Sequence, residues 1–331
     1  MTLAAGCAAI LWAALTAYAV LAGADFGGGV WDLLASGPRA EEQRRAVAEA
    51  MGPVWEANHV WLIFLIVGLF TAFPVAFGVL ALALYLPLTL ALVGIVLRGA
   101  AFAFRAHGAE ADGRASRWGL VFGSASVLAP FFLGTAAAEV AAGYVRASSR
   151  PAGVFEGWAT PEALLIGLLA VALCAYLAAT YLVVETADRP VLQADFRRRA
   201  LAAGVVAGML ALAALALAPF QAPRLFETLA GNGLPLLVLA IVNGTLALWA
   251  VWRARPRAAR AAVIAQVVLV IWAWAAGQWP YLVPPDLAVA GSAAPEPVLQ
   301  AMVVLVTIGM LLLAPSLWLL FHVFKGRLPQ A

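Results

Sequence analysis

Residues 53–61 read Pro-Val-Trp-Glu-Ala-Asn-His-Val-Trp and run straight into the apolar stretch Leu-Ile-Phe-Leu-Ile-Val-Gly-Leu-Phe at 62–70. A carboxylate, an amide and an imidazole therefore occupy the first two turns of a membrane-spanning segment. A charged group at the centre of such a span costs about 3 kcal/mol on insertion scales, so an intramembrane carboxylate marks a functional position by default. At 3.6 residues per turn Trp55, Asn58 and His59 share a face, and Glu56 adjoins His59 at i, i+3. A carboxylate beside an imidazole can take up and pass on a proton, which makes Glu56 a candidate for the inner mouth of a proton path. The competing structural role is a helix-start carboxylate or an ion pair with Arg98 or Arg105, which sit at the same level on the next span.

A second ionisable group, Asp25, lies in Gly-Ala-Asp-Phe-Gly-Gly-Gly-Val-Trp-Asp at 23–32. The glycines suggest a phosphate loop, but no strand precedes them and the Lys-Ser/Thr of a P-loop is missing. Glycines at the end of an apolar helix instead permit close helix approach or chain reversal. Asp25 is expected at that break, as a solvated helix-end carboxylate or as a second proton-handling group. Glu139 and Glu185 fall near the ends of later spans, where each has an interfacial reading beside a functional one. The three histidines, His59, His107 and His322, do not form the paired helical ligands that a bis-histidine haem requires. No metal site is expected.

These groups need a membrane scaffold to hold them. Of 331 residues, 65% are hydrophobic and 11% charged, against about 25% charged in soluble domains. Stretches of about 20 apolar residues give nine spans at roughly 3–24, 54–73, 76–104, 118–143, 161–185, 200–220, 232–252, 260–279 and 298–324. A tight turn at 72–75 separates the second and third, and Pro87, Pro130, Pro235 and Pro315 read as kinks inside spans. The fold expected is an all-α polytopic membrane protein, a single integral domain over 1–331, with two four-helix bundles plus one peripheral helix.

With the N-terminus outside, sixteen Lys and Arg fall in inner loops and the tail. Only Arg146, Arg150 and Arg224 fall outside, and Arg98 lies within a span. That bias follows the positive-inside rule and places the C-terminus in the cytoplasm. The proline-rich interval 281–297 reads as a stiff outer loop against the bilayer or a partner. Cys7 and Cys174 read as packed small hydrophobes. Residues 3–23 lack a basic leader and read as a retained helix.

The chain resembles subunit II of the cytochrome bd quinol oxidases, including the cyanide-insensitive branch. The motifs that carry this run in order along most of the sequence. They are Ala-Asp-Phe-Gly at 24–27, the 53–61 segment, Phe-Thr-Ala-Phe-Pro at 70–74 and Arg-Gly-Ala-Ala-Phe-Ala-Phe-Arg at 98–105. Trp-Pro-Tyr-Leu-Val-Pro at 279–284, Ala-Ala-Pro at 293–295 and Phe-Lys-Gly-Arg at 324–327 complete the set. The resemblance implies a bacterial inner-membrane heterodimer with a haem-bearing subunit I that holds two haems b, haem d and the quinol site. This chain would bind no haem and hold no catalytic residue. A structural quinone, membrane lipid and a small single-helix subunit are further partners of that class, and nucleic acid is not.

Residue by residue, the family's Trp-Asp-Gly-Asn-x-x-Trp falls on Trp55, Glu56, Ala57, Asn58 and Trp61. The resemblance then puts Glu56 at a cytoplasmic proton path, with Asp25 and Asn58 as further candidates on it, and Trp61 beside an oxygen path, with Trp55 as an oxygen-path or structural aromatic. Arg98 and Arg105 are the charge partners. Glu for Asp lengthens the acid by one methylene and Ala for Gly tightens the space beside it. No role passes to His59. The competing classes are a proton-coupled secondary transporter, with its carboxylates at a substrate site, and a purely structural membrane scaffold.

Overall fold

The computed structural model describes residues 2–51, 55–107, 114–147 and 158–325. The side chains of Trp55, Glu56, His107 and His322 lie outside the described residues. In chain order the elements are α1 (Leu3–Leu33), α2 (Ala40–Met51), α3 (Trp55–Ala72), α4 (Pro74–Ala83), α5 (Tyr85–His107), α6 (Arg114–Ala142) and α7 (Pro161–Glu185). There follow α8 (Pro190–Gln221), α9 (Pro223–Ala230), α10 (Leu234–Trp252), α11 (Pro256–Gln278), β1 (Tyr281–Val283), β2 (Leu287–Ala288), α12 (Val289–Ser292) and α13 (Glu296–Lys325).

Eight helices among the described residues are long and apolar enough to cross a membrane, and Asn58–Ala72 and Pro74–Ala83 are shorter apolar helices. With α3 as the second span and α4–α5 together as the third, nine crossings result. The turn expected at 72–75 is present: α3 stops at Ala72, Phe73 is buried, and Pro74 starts α4. Pro130 and Pro315 lie inside helices as expected, Pro87 follows the interruption between α4 and α5 within the third span, and Pro235 falls in the first turn of α10. A first-turn N–H has no intrahelical acceptor to lose, so Pro235 starts a helix rather than kinking one.

Helices α1, α3, α5 and α6 pack together, as do α7, α8, α10 and α11. The two groups meet where α1 and α6 lie along α7. Helix α13 touches α1 and α3 at the edge, with Leu305, Leu311 and Leu312 facing outward. This is a multi-pass all-α membrane fold. Cys7 and Cys174 are both buried and unbridged.

The first helix corrects the sequence reading. It does not end at the glycine run but continues to Leu33, so Asp25 is an interior residue at 6% exposure rather than a helix-end carboxylate. The glycines lie on its buried face. A Cβ at Gly27 would overlap the backbone carbonyl of Cys174 on α7, and one at Gly29 would overlap the Ser126 side chain on α6. Each glycine costs the helix about 1 kcal/mol relative to Ala, and close three-helix packing offsets it.

The 281–297 interval is also less free than expected. A short antiparallel β1–β2 hairpin and α12 fold back onto α1 and α4, and Ala294 N–H donates to the Ala72 carbonyl at 2.8 Å. Asp286 pairs with Arg146 at 3.1 Å. The segment thus covers the chain's own helix ends.

Gly27→Ala should lower the stability of the purified protein by at least about 2 kcal/mol through overpacking. Gly78→Ala, where an added Cβ meets nothing within 4 Å, should be neutral or slightly stabilising. Thermal unfolding in detergent reads both, and equal effects would refute the close-approach account of α1.

Candidate functional site

Residues 18, 25 and 32 are spaced by seven, which puts Tyr18, Asp25 and Asp32 on one stripe of α1 spanning about 21 Å at 1.5 Å per residue. All three are buried. The stripe faces α3, α5 and α6, and those helices supply its partners.

The centre is Asp25. Its carboxylate accepts from the Asn58 side-chain amide in a short hydrogen bond, and the same amide reaches the Leu21 carbonyl at 3.5 Å. Asn58, at 5% exposure, thereby ties the start of α3 to the middle of α1. Arg98 reaches the same level from α5 and is 1% exposed. Its guanidinium lies 5.3 Å from the ring centroids of both Phe26 and Phe122, held between two aromatic faces. Asp25 and Tyr18 are within its electrostatic reach. A guanidinium is always charged and presents five donors in a fixed fork, so a buried one needs counter-charge and π faces together.

Towards the arginine-rich end, Asp32 forms an ion pair with Arg105 at 2.9 Å. Asp32 is 3% exposed and its Oδ1 meets no hydrogen-bond donor among the described residues. On the other side of Asp25, the His59 ring lies 6.1 Å from the rings of both Tyr18 and Phe26. Trp61 packs against the small cluster of Tyr18, Ala22, Phe26, Ala129 and Cys174.

The structure therefore brings together Asp25, Asn58 and Arg98, with Trp61 alongside. Arg105 forms the neighbouring ion pair with Asp32. The expectations for Glu56 and Trp55 rest on side chains outside the described residues. Tyr18 and Asp32 were not singled out in the sequence, although their seven-residue spacing from Asp25 was a usable signal. Among the described residues no group of three or more His, Cys, Asp or Glu side chains could hold a metal ion.

A second buried acid cluster lies at the opposite end of the bundle. Glu139, near the end of α6, is 1% exposed and accepts from the Thr160 hydroxyl at 2.8 Å. Glu162, in the first turn of α7, is 7% exposed. Glu185 sits at the boundary, 3.9 Å from Arg260.

What the main arrangement can do follows from its parts. Carboxylates at two levels, an amide bonded to the central one, a phenol beyond it on the side away from Asp32, and a buried cation form a polar line through an otherwise apolar bundle. Such a line can hold or relay protons; it offers no activated nucleophile and no redox group.

Residues 3–324 match the family model described as Cytochrome bd terminal oxidase subunit II. Cytochrome bd ubiquinol oxidase subunit 2 of Bacillus subtilis is 33% identical over 115 residues, 34% of this chain and 33% of that protein. Cytochrome bd-I ubiquinol oxidase subunit 2 of Escherichia coli K12 is 28% identical over 212 residues, 62% of this chain and 53% of that protein. The matched stretches thus span between a third and about half of those relatives' lengths. A chain from the structure of bd oxidase from Geobacillus thermodenitrificans superposes with a TM-score of 0.77 at 23% identity. It covers 99% of this chain and 100% of its own, which is a likeness of fold.

Arg98→Gln should be strongly destabilising, by about 3–5 kcal/mol, because it strands a buried carboxylate. Combining it with Asp25→Asn should recover most of that loss. A double-mutant cycle read by thermal unfolding measures the coupling, and simple additivity would show that the two groups do not sense each other.

Proposed function

The chain belongs to the cytochrome bd terminal oxidase subunit II family, and from that premise we propose that it is the haem-free subunit of a membrane-bound quinol:oxygen oxidoreductase. Its partner is a larger subunit I carrying two haems b, haem d and the quinol site. That subunit supplies electron transfer and oxygen reduction to water. This chain contributes the proton route and the scaffold, with the N-terminus outside and the C-terminus in the cytoplasm of a bacterial inner membrane. A structural quinone and a small single-helix subunit remain part of this reading.

The observation that carries the proton role is the buried Asp25–Asn58 hydrogen bond beside a fully buried Arg98. Protons enter from the arginine-rich side past Glu56 and Asp32, and Asp25 is the relay. The Asn58 amide donates to the Asp25 carboxylate and orients it, while Arg98 holds the compensating charge when Asp25 is ionised. Trp61, packed beside this line, borders the apolar route for oxygen, with Trp55 on the same helix. The whole chain acts as one integral domain.

Two features speak against a proton-coupled transporter. Substrate sites in that class sit near the bilayer midplane between repeated halves, whereas Asp32 and Arg105 lie at the arginine-rich end and the sequence carries no evident repeat. The fold likeness to a bd oxidase runs over the entire chain.

Affinity purification from the native membrane in mild detergent, followed by a reduced-minus-oxidised spectrum, should show haem bands with a second, larger chain. A haem-free preparation lacking any partner would sink this reading and bring the transporter forward. In the intact complex, Glu56→Gln, and Asp25→Asn combined with Arg98→Gln so that no buried charge is stranded, should each cut quinol oxidase turnover at least tenfold while leaving the haem spectrum unchanged. Unchanged turnover would remove both residues from the proton route, and loss of the complex would favour the scaffold role.

A further inference from the structure

The turn between α10 and α11 is built with unusual rigidity. Helix α10 ends in a Schellman arrangement: Ala254 N–H bonds to the Val251 carbonyl at 3.1 Å and Arg255 N–H to the Ala250 carbonyl at 2.9 Å. That geometry puts the residue after the cap in the left-handed region, a place usually taken by glycine. Here it is Ala254, at φ +52°. Arg197 of α8 locks the turn from below, its Nε donating to the Val251 carbonyl at 3.0 Å and its Nη2 to the Trp252 carbonyl at 2.6 Å.

The fixed turn forms one wall of a recess of about 210 Å³. Thr180 and Val183 of α7 and Gln193 of α8 line the rest, and Arg197 and Arg255 project their charge onto it. Arg255 lines the recess, Arg253 and Arg257 stand two residues to either side of it in the chain, and none of the three has a carboxylate within ion-pair range among the described residues. The nearby Arg260, in contrast, has Glu185. Two helices begin at the recess, α8 at Pro190 and α11 at Pro256. Neither has a side-chain cap or an acidic residue in its first turn. The potential there is positive from side chains and backbone alike.

The apolar surroundings say what kind of anion fits. Trp249 and Trp252 are 41% and 60% exposed, and the Arg253 guanidinium stacks over both rings, at 5.8 and 5.3 Å. Arg255 lies 5.0 Å over Trp249. Half-exposed tryptophans under arginines mark the headgroup level of a bilayer. Away from the recess, Val205, Met209 and Leu212 of α8 and Val242 and Leu246 of α10 are exposed along the helices, a surface suited to acyl chains. A soluble anion would use the charge and leave that surface unused.

We propose that the recess between α7, α8 and the α10–α11 turn is a binding site for the phosphate headgroup of an anionic phospholipid. Arg255 and Arg253 contact the phosphate, Arg197 keeps the turn closed around it, and the acyl chains lie along α8 and α10. The site requires only that the chain sit in a membrane, so it stands or falls independently of the oxidase role.

The test uses the complex purified from native membrane, delipidated in detergent, and titrated with phosphatidylglycerol, phosphatidylcholine or inorganic phosphate. Bound lipid is counted by native mass spectrometry and thermal stability is followed in parallel. Phosphatidylglycerol should bind saturably and raise the melting temperature, and phosphatidylcholine should do neither. The doubly substituted R253Q/R255Q protein should bind about thirty-fold more weakly, since each arginine near a membrane surface contributes roughly a five-fold factor. Arg45→Gln, which removes an exposed basic residue of α2 away from the recess, should leave binding intact. If the double variant does not assemble, Arg255→Gln alone should show about a five-fold loss. Wild-type affinity in these variants, or an equal response to phosphatidylcholine, would overturn the proposal. A full response to inorganic phosphate alone would also overturn it, in favour of a soluble anion.

Discussion

One guanidinium inside the first helix bundle sets the terms for everything around it. Arg98 is 1% exposed, cannot shed its proton, and lies within a helix that crosses hydrocarbon. Burying such an ion is repaid only by close partners. The bundle supplies them from two directions: Phe26 and Phe122 face its plane, and Asp25 balances its charge. Asn58 then fixes the Asp25 carboxylate. The glycines at 27 and 29 bring α1 close enough to α6 and α7 for the group to stay dry. Charge, amide and close packing form one arrangement.

The spans were legible in the sequence because a bilayer imposes a length and a hydropathy on each crossing. The asymmetry of the arginines is the ground for the proposed orientation. Which face of each helix turns inward was not legible, since lipid-facing and core-facing positions are both apolar. Leu305 and Leu177 read alike as residues, yet one is 67% exposed and the other 1%. The same ambiguity explains why the glycine run looked like the end of α1: local propensity argues for a break, and only the neighbouring helices reverse that. Short elements such as α2, α9 and the β1–β2 hairpin fell in intervals read as loops.

Within the site, Asp25, Asn58 and Arg98 stood out because a polar group in an apolar run carries an evident cost. Tyr18 is hidden by being amphipathic, and Asp32 by lying where a helix was expected to have ended. Arg105 could be placed at the correct depth, but its ion pair with Asp32 was not foreseen. Partner choice depends on rotation about the helix axis, which hydropathy does not encode.

The position of α1 at the junction of both bundles also orders events at the ribosome. Asp25 and Asp32 are made about 70 residues before their arginines, Arg98 and Arg105. At roughly 5–20 residues per second, some seconds pass between the synthesis of these two acids and that of the arginines on α5. Helix α7, against which Gly27 must seat, comes later still. The buried polar cluster along α1 can therefore close only after α5 has been made.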